Sequence, residues 1–362
     1  FKMNEEHWMV KLQQVFYPLL AVIGIPCKYW VANAALKVII IFVCVFLFFQ
    51  ANIVTFLIIW RRNCMLSKSS TYYLMAISLA DTLVLILIVI IELVLKSHIP
   101  EPFWSWDPWC SIRDVFSYGA YNASVWLIVT FTIERFIAIN SIRLKVKVCT
   151  SRSAMIVISS VFAISHIFSI PYYWSNQSVT VTVDGSLKEV HRCIYSRDMT
   201  SLFVLGLVWI QTALSYIIPY IIIFTLNGLT LRQIVLSNKV YSHTSNITHN
   251  SIGQCKRFRS QKRKSIVLLI TISMSFASLS ATRLVTQIIL RKRYYNIDRN
   301  DYSKAINVAA DIGTMLDLTN SAINMYLYAC TQTKFRQELI KCVKSIICSC
   351  KYRNPHKKAR PS

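Results

Sequence analysis

The chain is poor in charge, in acid and in glycine. Charged residues make up 15% of its 362 positions against 54% hydrophobic, a balance that fits a chain surrounded by lipid and not a water-soluble domain. Seven glycines are few for a Gly-rich phosphate loop or for the paired Gly/Pro-broken helices of transporters. No nucleophile, base and oxyanion arrangement and no repeated metal-ligand spacing is present, so an enzyme is not expected. No secretory leader is recognisable after Phe1, which leaves insertion to the first hydrophobic helix. Lys and Arg number 40 against 16 Asp and Glu, a net charge of +24. No zinc-finger spacing or aromatic RNA-binding box accompanies that excess, so membrane lipids are expected as partners and nucleic acid is not.

What is there is a series of long apolar runs. Windows of about 20 apolar residues, the length that crosses a bilayer, recur at 31–60, 70–95, 114–140, 153–174, 201–231, 264–290 and 304–330. Seven spans predict an all-α membrane protein, a seven-transmembrane helix bundle. Arg61, Arg62 and Lys68 follow span 1; Arg143, Lys145, Lys147 and Arg152 follow span 3; Lys256 to Lys264 precede span 6; and a basic tail follows span 7. All lie on one side, so the N-terminus is expected outside a plasma membrane and the C-terminus in the cytosol. Arg291-Lys292-Arg293 is the exception, on the outer side.

The eleven cysteines sort by this topology. Cys110 at the outer end of span 3 and Cys193 before span 5 both face an oxidising compartment and are expected to pair. Cys342, Cys348 and Cys350 lie in the basic tail, as palmitoylation sites or unmodified thiols. Asn176-Gln-Ser is an outer-loop glycosylation sequon, whereas Asn122-Ala-Ser and Asn246-Ile-Thr fall within span 3 and in the cytosol.

Ionisable residues inside lipid are functional candidates by default. Asp81 sits mid-span in LMAISLADTLVLI, and Ser124, Asn320 and Asn324 are small polar groups at similar depth. Together they offer oxygen ligands for Na⁺ in a wet pocket, or a hydrogen-bonded packing cluster without an ion. Glu134-Arg135 stands where span 3 leaves the membrane, with Arg135 following Cys110 by 25 residues. Glu134 can hold Arg135 inward until release lets it face a cytosolic partner.

LAD in span 2, Cys110 with ERF, Pro219 in span 5, and NSAINMYLY in span 7 followed by Phe335 in an amphipathic KFRQEL segment resemble the rhodopsin-like G-protein-coupled receptors across all seven spans. More narrowly, SIPYYW at 169–174, the Leu226-Asn227 pair, FASLSATR at 276–283 and ADIGTMLDLTNSAINMYLY at 310–328 look like the orphan group that contains probable G-protein coupled receptor 139. The resemblance implies a heterotrimeric G protein as partner, with Glu134, Arg135, Asn324 and Tyr328 in coupling and activation, and an extracellular amino acid or small peptide as ligand. Departures are visible too. The usual Trp of span 4 is missing, ERF replaces DRY, and Met325 stands where many receptors have Pro. The span 6 Trp and Pro fall on Ser280 and Thr282, and without Pro that helix is expected to be straighter.

Asp114, Ser117, Tyr118 and Tyr121 recur at i, i+3, i+4 and i+7 on one face of span 3. Gln211 precedes Pro219, Arg283 lies in span 6, and Asp311 and Asp317 lie in span 7. An Arg and carboxylates on converging helices suit the two charges of a zwitterion, with the tyrosines and Trp209 as an aromatic wall. The alternatives are an internal Arg283 to Asp317 bridge serving structure, and tyrosines and Trp209 that simply pack or anchor at the interface. A hydrogen-bonded packing role is expected for His166.

Span 1 is too long: 30 residues would make a helix of about 45 Å against about 30 Å of hydrocarbon. Relatives carry Gly-x-Pro followed by a small residue and Asn in span 1, and here Gly24-Ile25-Pro26 is separated from Ala51-Asn52 by residues 27–50. Cys27-Lys28-Tyr29 can be encoded as TGTAAGTAT, a splice-donor consensus, and the run to Ala51 can end as a pyrimidine tract with an AG acceptor. Residues 27–50 therefore read as a retained intron, with 15–26 as half of an interrupted first span. The expected domains are an outer or interfacial segment 1–30, a receptor domain 31–331, and a cytosolic amphipathic helix and basic tail 332–362. A ligand-activated receptor competes with a transporter or channel, and with a non-signalling splice product of the receptor.

Overall fold

The computed structural model describes residues 51–61, 66–95, 105–174, 176–182, 189–195, 201–244, 252–293, 301 and 303–352. The segment 1–30 and the insert 27–50 lie outside the described residues. The elements are α1 (Ala51–Arg61), α2 (Lys68–Val84) running on as a π-helix (Leu85–Leu95), α3 (Trp109–Asn140), α4 (Ile142–Val148), and α5 (Ser151–Ile167) with a 3₁₀ turn Ile170–Trp174. They continue as β1 (Asn176–Thr182), β2 (Glu189–Tyr195), α6 (Ser201–Thr212), a π turn (Ala213–Ile217), α7 (Ile218–Thr244), α8 (Ile252–Arg293), α9 (Ala305–Thr331) and α10 (Thr333–Tyr352). This is the expected helical bundle of a multi-pass membrane protein, with one antiparallel hairpin added.

Among the described residues five stretches are long and apolar enough to cross a bilayer: Lys68–Ile91, Trp109–Asn140, Ser151–Trp174, Leu205–Leu236 and Ile266–Leu290. Described α1 is shorter, and α9 is diluted by Asn307, Asp317, Asn320 and Asn324, all of which it buries. Side-chain caps set several starts: Ser67, Ser141 and Thr150 each accept a bond from the backbone N–H three residues on, opening α2, α4 and α5. Ahead of Pro219, which lacks an N–H, the chain loosens into a wider π turn in which the Ile218 N–H donates to the Ala213 carbonyl.

Helix α3 runs through the middle, its Leu127, Ile128 and Phe131 buried in one core with Leu74 and Ile77 of α2 and Leu268, Ile272 and Phe276 of α8. Lipid is as apolar as leucine, so helices in it associate through close packing and polar bonds. Both devices are present. A Cβ on Gly313 of α9 would come within 2.8 Å of the Arg283 backbone nitrogen on α8, and one on Gly119 of α3 within 2.5 Å of the His166 ring. His166 Nδ1 also lies 2.8 Å from the Phe162 carbonyl, the packing role expected of it. Asn52 of α1 donates to the Ser321 carbonyl of α9 at 3.1 Å.

Cys110 and Cys193 form the expected disulfide, Cα atoms 5.7 Å apart, which fastens β2 to the start of α3. Asn176 opens β1 in backbone register with Tyr195. At the opposite end Gln332 adopts an extended conformation that separates α9 from α10, and Phe335 tucks against Tyr328 with ring centroids 5.8 Å apart. Thr333, Lys334, Arg336 and Gln337 are exposed on the other face of α10, as the amphipathic KFRQEL pattern requires.

Candidate functional site

A cavity of about 220 Å³ opens among α3, the 3₁₀ turn, the first part of span 5 (α6 and the π turn) and α8, with Ile88 of the π-helix after α2 and Thr314 of α9 completing the wall. Six residues singled out in the sequence line it: Asp114, Ser117, Tyr118, Tyr121, Gln211 and Arg283. Trp209 and Asp311 are not among the lining residues, and Asp317 lies just beyond the wall. At the disulfide end Arg113 donates to Asp114 from Nε at 3.0 Å and from its terminal nitrogen at 2.8 Å, and reaches Cys193 Sγ at 3.8 Å. Tyr118 stacks on Tyr172, centroids 4.1 Å apart.

An ionic cluster backs one wall. Arg283 pairs with Asp317 at 3.3 Å, and their side chains are 25% and 1% exposed. The Tyr121 hydroxyl donates to the two Asp317 oxygens at 2.9 and 2.8 Å, and Tyr216 donates to Asp317 at 3.2 Å. Arg283 also sits 5.8 Å from the Tyr121 ring centroid. Asp317 is thus satisfied from three directions, while Arg283 keeps a buried Nε with no hydrogen-bond partner among the described residues. The internal bridge and the cavity-lining Arg, alternatives in the sequence, are both present.

Between α3 and span 5 a second network crosses the wall. Asn122 and Gln211 exchange amide bonds at 3.3 and 3.2 Å, Ser215 donates to Asn122 at 2.6 Å, and Tyr172 donates to Gln211 at 3.2 Å. Ser117, 5% exposed, lines the cavity, its hydroxyl without a partner among the described residues.

Below the cavity Asp81 is fully buried. It accepts from Ser124 at 2.6 Å and from Asn324 at 2.5 Å. The side-chain oxygens of Asn320, Asn324 and Tyr328 are buried without hydrogen-bond partners among the described residues. The Asp81 carboxylate with the Ser124 and Asn324 oxygens beside it fits a small monovalent cation, which would supply positive charge to the carboxylate.

At the far end Glu134 and Arg135 form a buried ion pair. Ser69 donates to Glu134 at 2.6 Å, and Arg135 donates to Ser67 and Ser69 at 3.2 Å each. The Cys149 thiol, on the turn after α4, lies 3.6 Å from the Glu134 carbonyl. Burial first and the Glu134 carboxylate next push it up to about 11, so it stays a protonated weak donor.

Residues 51–328 match the sequence profile of the 7 transmembrane receptor (rhodopsin family). The chain belongs to the rhodopsin family of seven-transmembrane receptors. That is a family of receptors and not of enzymes. Similar proteins include an FMRFamide receptor of Drosophila melanogaster, 24% identical over 343 residues that cover 92% of this chain and 57% of that one. Probable G-protein coupled receptor 142 of Mus musculus is 23% identical over 289 residues, 78% of this chain and 66% of that one. The chain spans less than two thirds of the length of either relative.

Sequence reasoning missed Tyr216, Tyr172, Gln287 and Gly313 in this receptor. Gln211 and Tyr216 stand five residues apart on the same cavity, a spacing that a regular α-helix turns to different faces and the π turn realigns. Tyr172 stood inside the SIPYYW stretch already singled out, and Gln287 follows Arg283 by one helical turn, so i, i+4 spacing could have found it.

Proposed function

We propose that this receptor binds an extracellular amino acid, or the end of a small peptide, and activates a heterotrimeric G protein. Arg283 carries the reading: a guanidinium on the cavity wall, held from behind by Asp317 and with donor capacity left over. Asp114 lines the same cavity, so the wall offers separated charges of both signs, as a zwitterion does. The volume of about 220 Å³ lies below the roughly 300–1,000 Å³ of drug-sized sites, which favours a single amino acid or a chain terminus. The aromatic surroundings of Tyr118, Tyr121 and Tyr172 favour an aromatic side chain. The Arg/Lys pattern supports an external N-terminus and a cytosolic Arg135 end. On that orientation Asn176 is a glycosylation site, and the Asp81 cluster holds Na⁺.

A peptide with an amidated end is a second reading, favoured by the similarity to an FMRFamide receptor and by the charge balance that Asp317 already provides for Arg283. Phenylalanine and its amide separate the two, read by G-protein nucleotide exchange at matched surface expression. A charge-assisted bond contributes about 1.5–3 kcal/mol, so Arg283→Gln should weaken the acid roughly tenfold or more and leave the amide unchanged. Preference for the amide in the parent, with Arg283→Gln harmless, selects the second reading. Equal weakening of both with lost surface expression leaves Arg283 as a structural bridge only.

A further inference from the structure

Asp317 does not line the cavity, yet its three partners do. Tyr121 belongs to α3, Tyr216 to the π turn of span 5 and Arg283 to α8, while Asp317 itself is on α9. One carboxylate ties four spans. Nothing entering the cavity reaches Asp317 first; it meets the groups that Asp317 holds.

The seam below runs from this tie toward the Arg135 end. One turn beyond Tyr216, Tyr220 donates to the Ala277 carbonyl of α8 at 2.5 Å and lies 3.2 Å from the Ser280 hydroxyl. Further along, Asn227 donates to Ser273 at 2.6 Å. Ser280 and Ser273 are fully buried. Span 5 is therefore fastened to α8 by polar bonds along its length, at a depth where lipid supplies no competing partners. The Asp317 tie stands at the head of that row.

We propose that Asp317 is the positioning residue through which occupancy of the cavity is transmitted. It holds Arg283 against the cavity wall, and a ligand carboxylate that draws on Arg283 weakens the bond joining α9 to α8. The inference rests on the reading of the cavity as the ligand site. Two carboxylates compete for one guanidinium, so each takes strength from the other's bond. By linkage, whatever binding energy the ligand loses to Asp317 is the energy with which it biases the bundle. Loss of the Asp317 charge should then mimic the ligand.

The test uses the full chain in lipid nanodiscs without ligand. Spin labels are introduced by unnatural amino-acid chemistry at Lys147 and Val267, both exposed. Distance distributions are recorded for the parent, Asp317→Asn, Tyr216→Phe and Arg283→Gln, with a thermal unfolding midpoint for each. Asp317→Asn should enrich a second distance severalfold, Tyr216→Phe should do so less, and Arg283→Gln added to Asp317→Asn should change nothing more, because the two act as one unit. A distribution identical to the parent with only a lowered midpoint makes Asp317 a structural residue and overturns the proposal. Should Asp317→Asn not fold, Tyr216→Phe decides by the same criterion, since it strands no charge. Phenylalanine added to the parent keeps the two readings apart. A shift with Asp317→Asn but none with phenylalanine leaves the tie standing and removes the ligand reading. A shift with phenylalanine but none with either variant does the reverse.

Discussion

Asp81 and Asp317 are both buried in the bundle and are balanced in different ways. Asp317 has Arg283 at 3.3 Å, whereas Ser124 and Asn324, which donate to Asp81, are neutral. A bare charge in low dielectric is costly, and a cation or a proton relieves it. If the oxygens around Asp81 hold Na⁺, the ion stabilises the folded receptor as RT ln(1 + [Na⁺]/Kd). The unfolding midpoint should then be higher in NaCl than in the chloride of a large organic cation at equal ionic strength, and Asp81→Asn should abolish the difference. Equal midpoints in the parent would mean a packing cluster. The bonding of Ser124 and Asn324 to Asp81 was legible because each is a polar residue in an apolar run. Tyr216 was not, because a lone tyrosine in the middle of an apolar span reads as ordinary packing until the π turn aims it at Asp317.

Among the elements, the contact that brings the charged cluster together is a glycine. Gly313 and Asp317 are one turn apart on α9, and at Gly313 the backbone of α8 passes so close that a Cβ would meet Arg283 N at 2.8 Å, Arg283 Cα at 3.0 Å and Thr282 C at 3.1 Å. All three are backbone atoms that cannot swing aside. Gly313→Ala should therefore push α8 from α9 and cost about 1–3 kcal/mol, as other overpacked sites do. It would be seen as a lower unfolding midpoint and a smaller cell-surface fraction. An alanine variant as stable as the parent would show that the helices are free to part there. The helices themselves were legible from apolar run lengths, and the spacing of Asp114, Ser117, Tyr118 and Tyr121 placed their shared face. The hairpin was overlooked although SVTVTV before Asp184-Gly185 alternates as a strand and ends in a turn pair. The closeness at Gly313 has no sequence signal, since a lone glycine in a helix is equally compatible with open space.

Across the whole molecule the cavity, lined from α3 by Asp114 to Tyr121, and the Glu134–Arg135 pair lie in opposite halves of that helix, roughly 20 Å or more apart along its axis at 1.5 Å per residue. The seven-span order and its charge asymmetry were plain in the sequence, and the family match begins at Ala51, the residue that follows the predicted insert. Separation of the two sites makes a sharp expectation for Arg135. Its guanidinium is held inward by Glu134, Ser67 and Ser69, so on release it becomes free to meet a cytosolic partner without any contact to the cavity. Arg135→Ala should therefore abolish ligand-stimulated nucleotide exchange while changing phenylalanine affinity by less than about threefold, under about 0.7 kcal/mol. Glu134→Gln, which keeps the shape but removes the charge that retains Arg135, should instead raise exchange without ligand. The two substitutions act on one pair and move the signal in opposite directions, a pattern that mere loss of folding does not produce. Normal signalling by Arg135→Ala would remove Arg135 from coupling and leave the pair as a buried bridge that closes the end of the bundle.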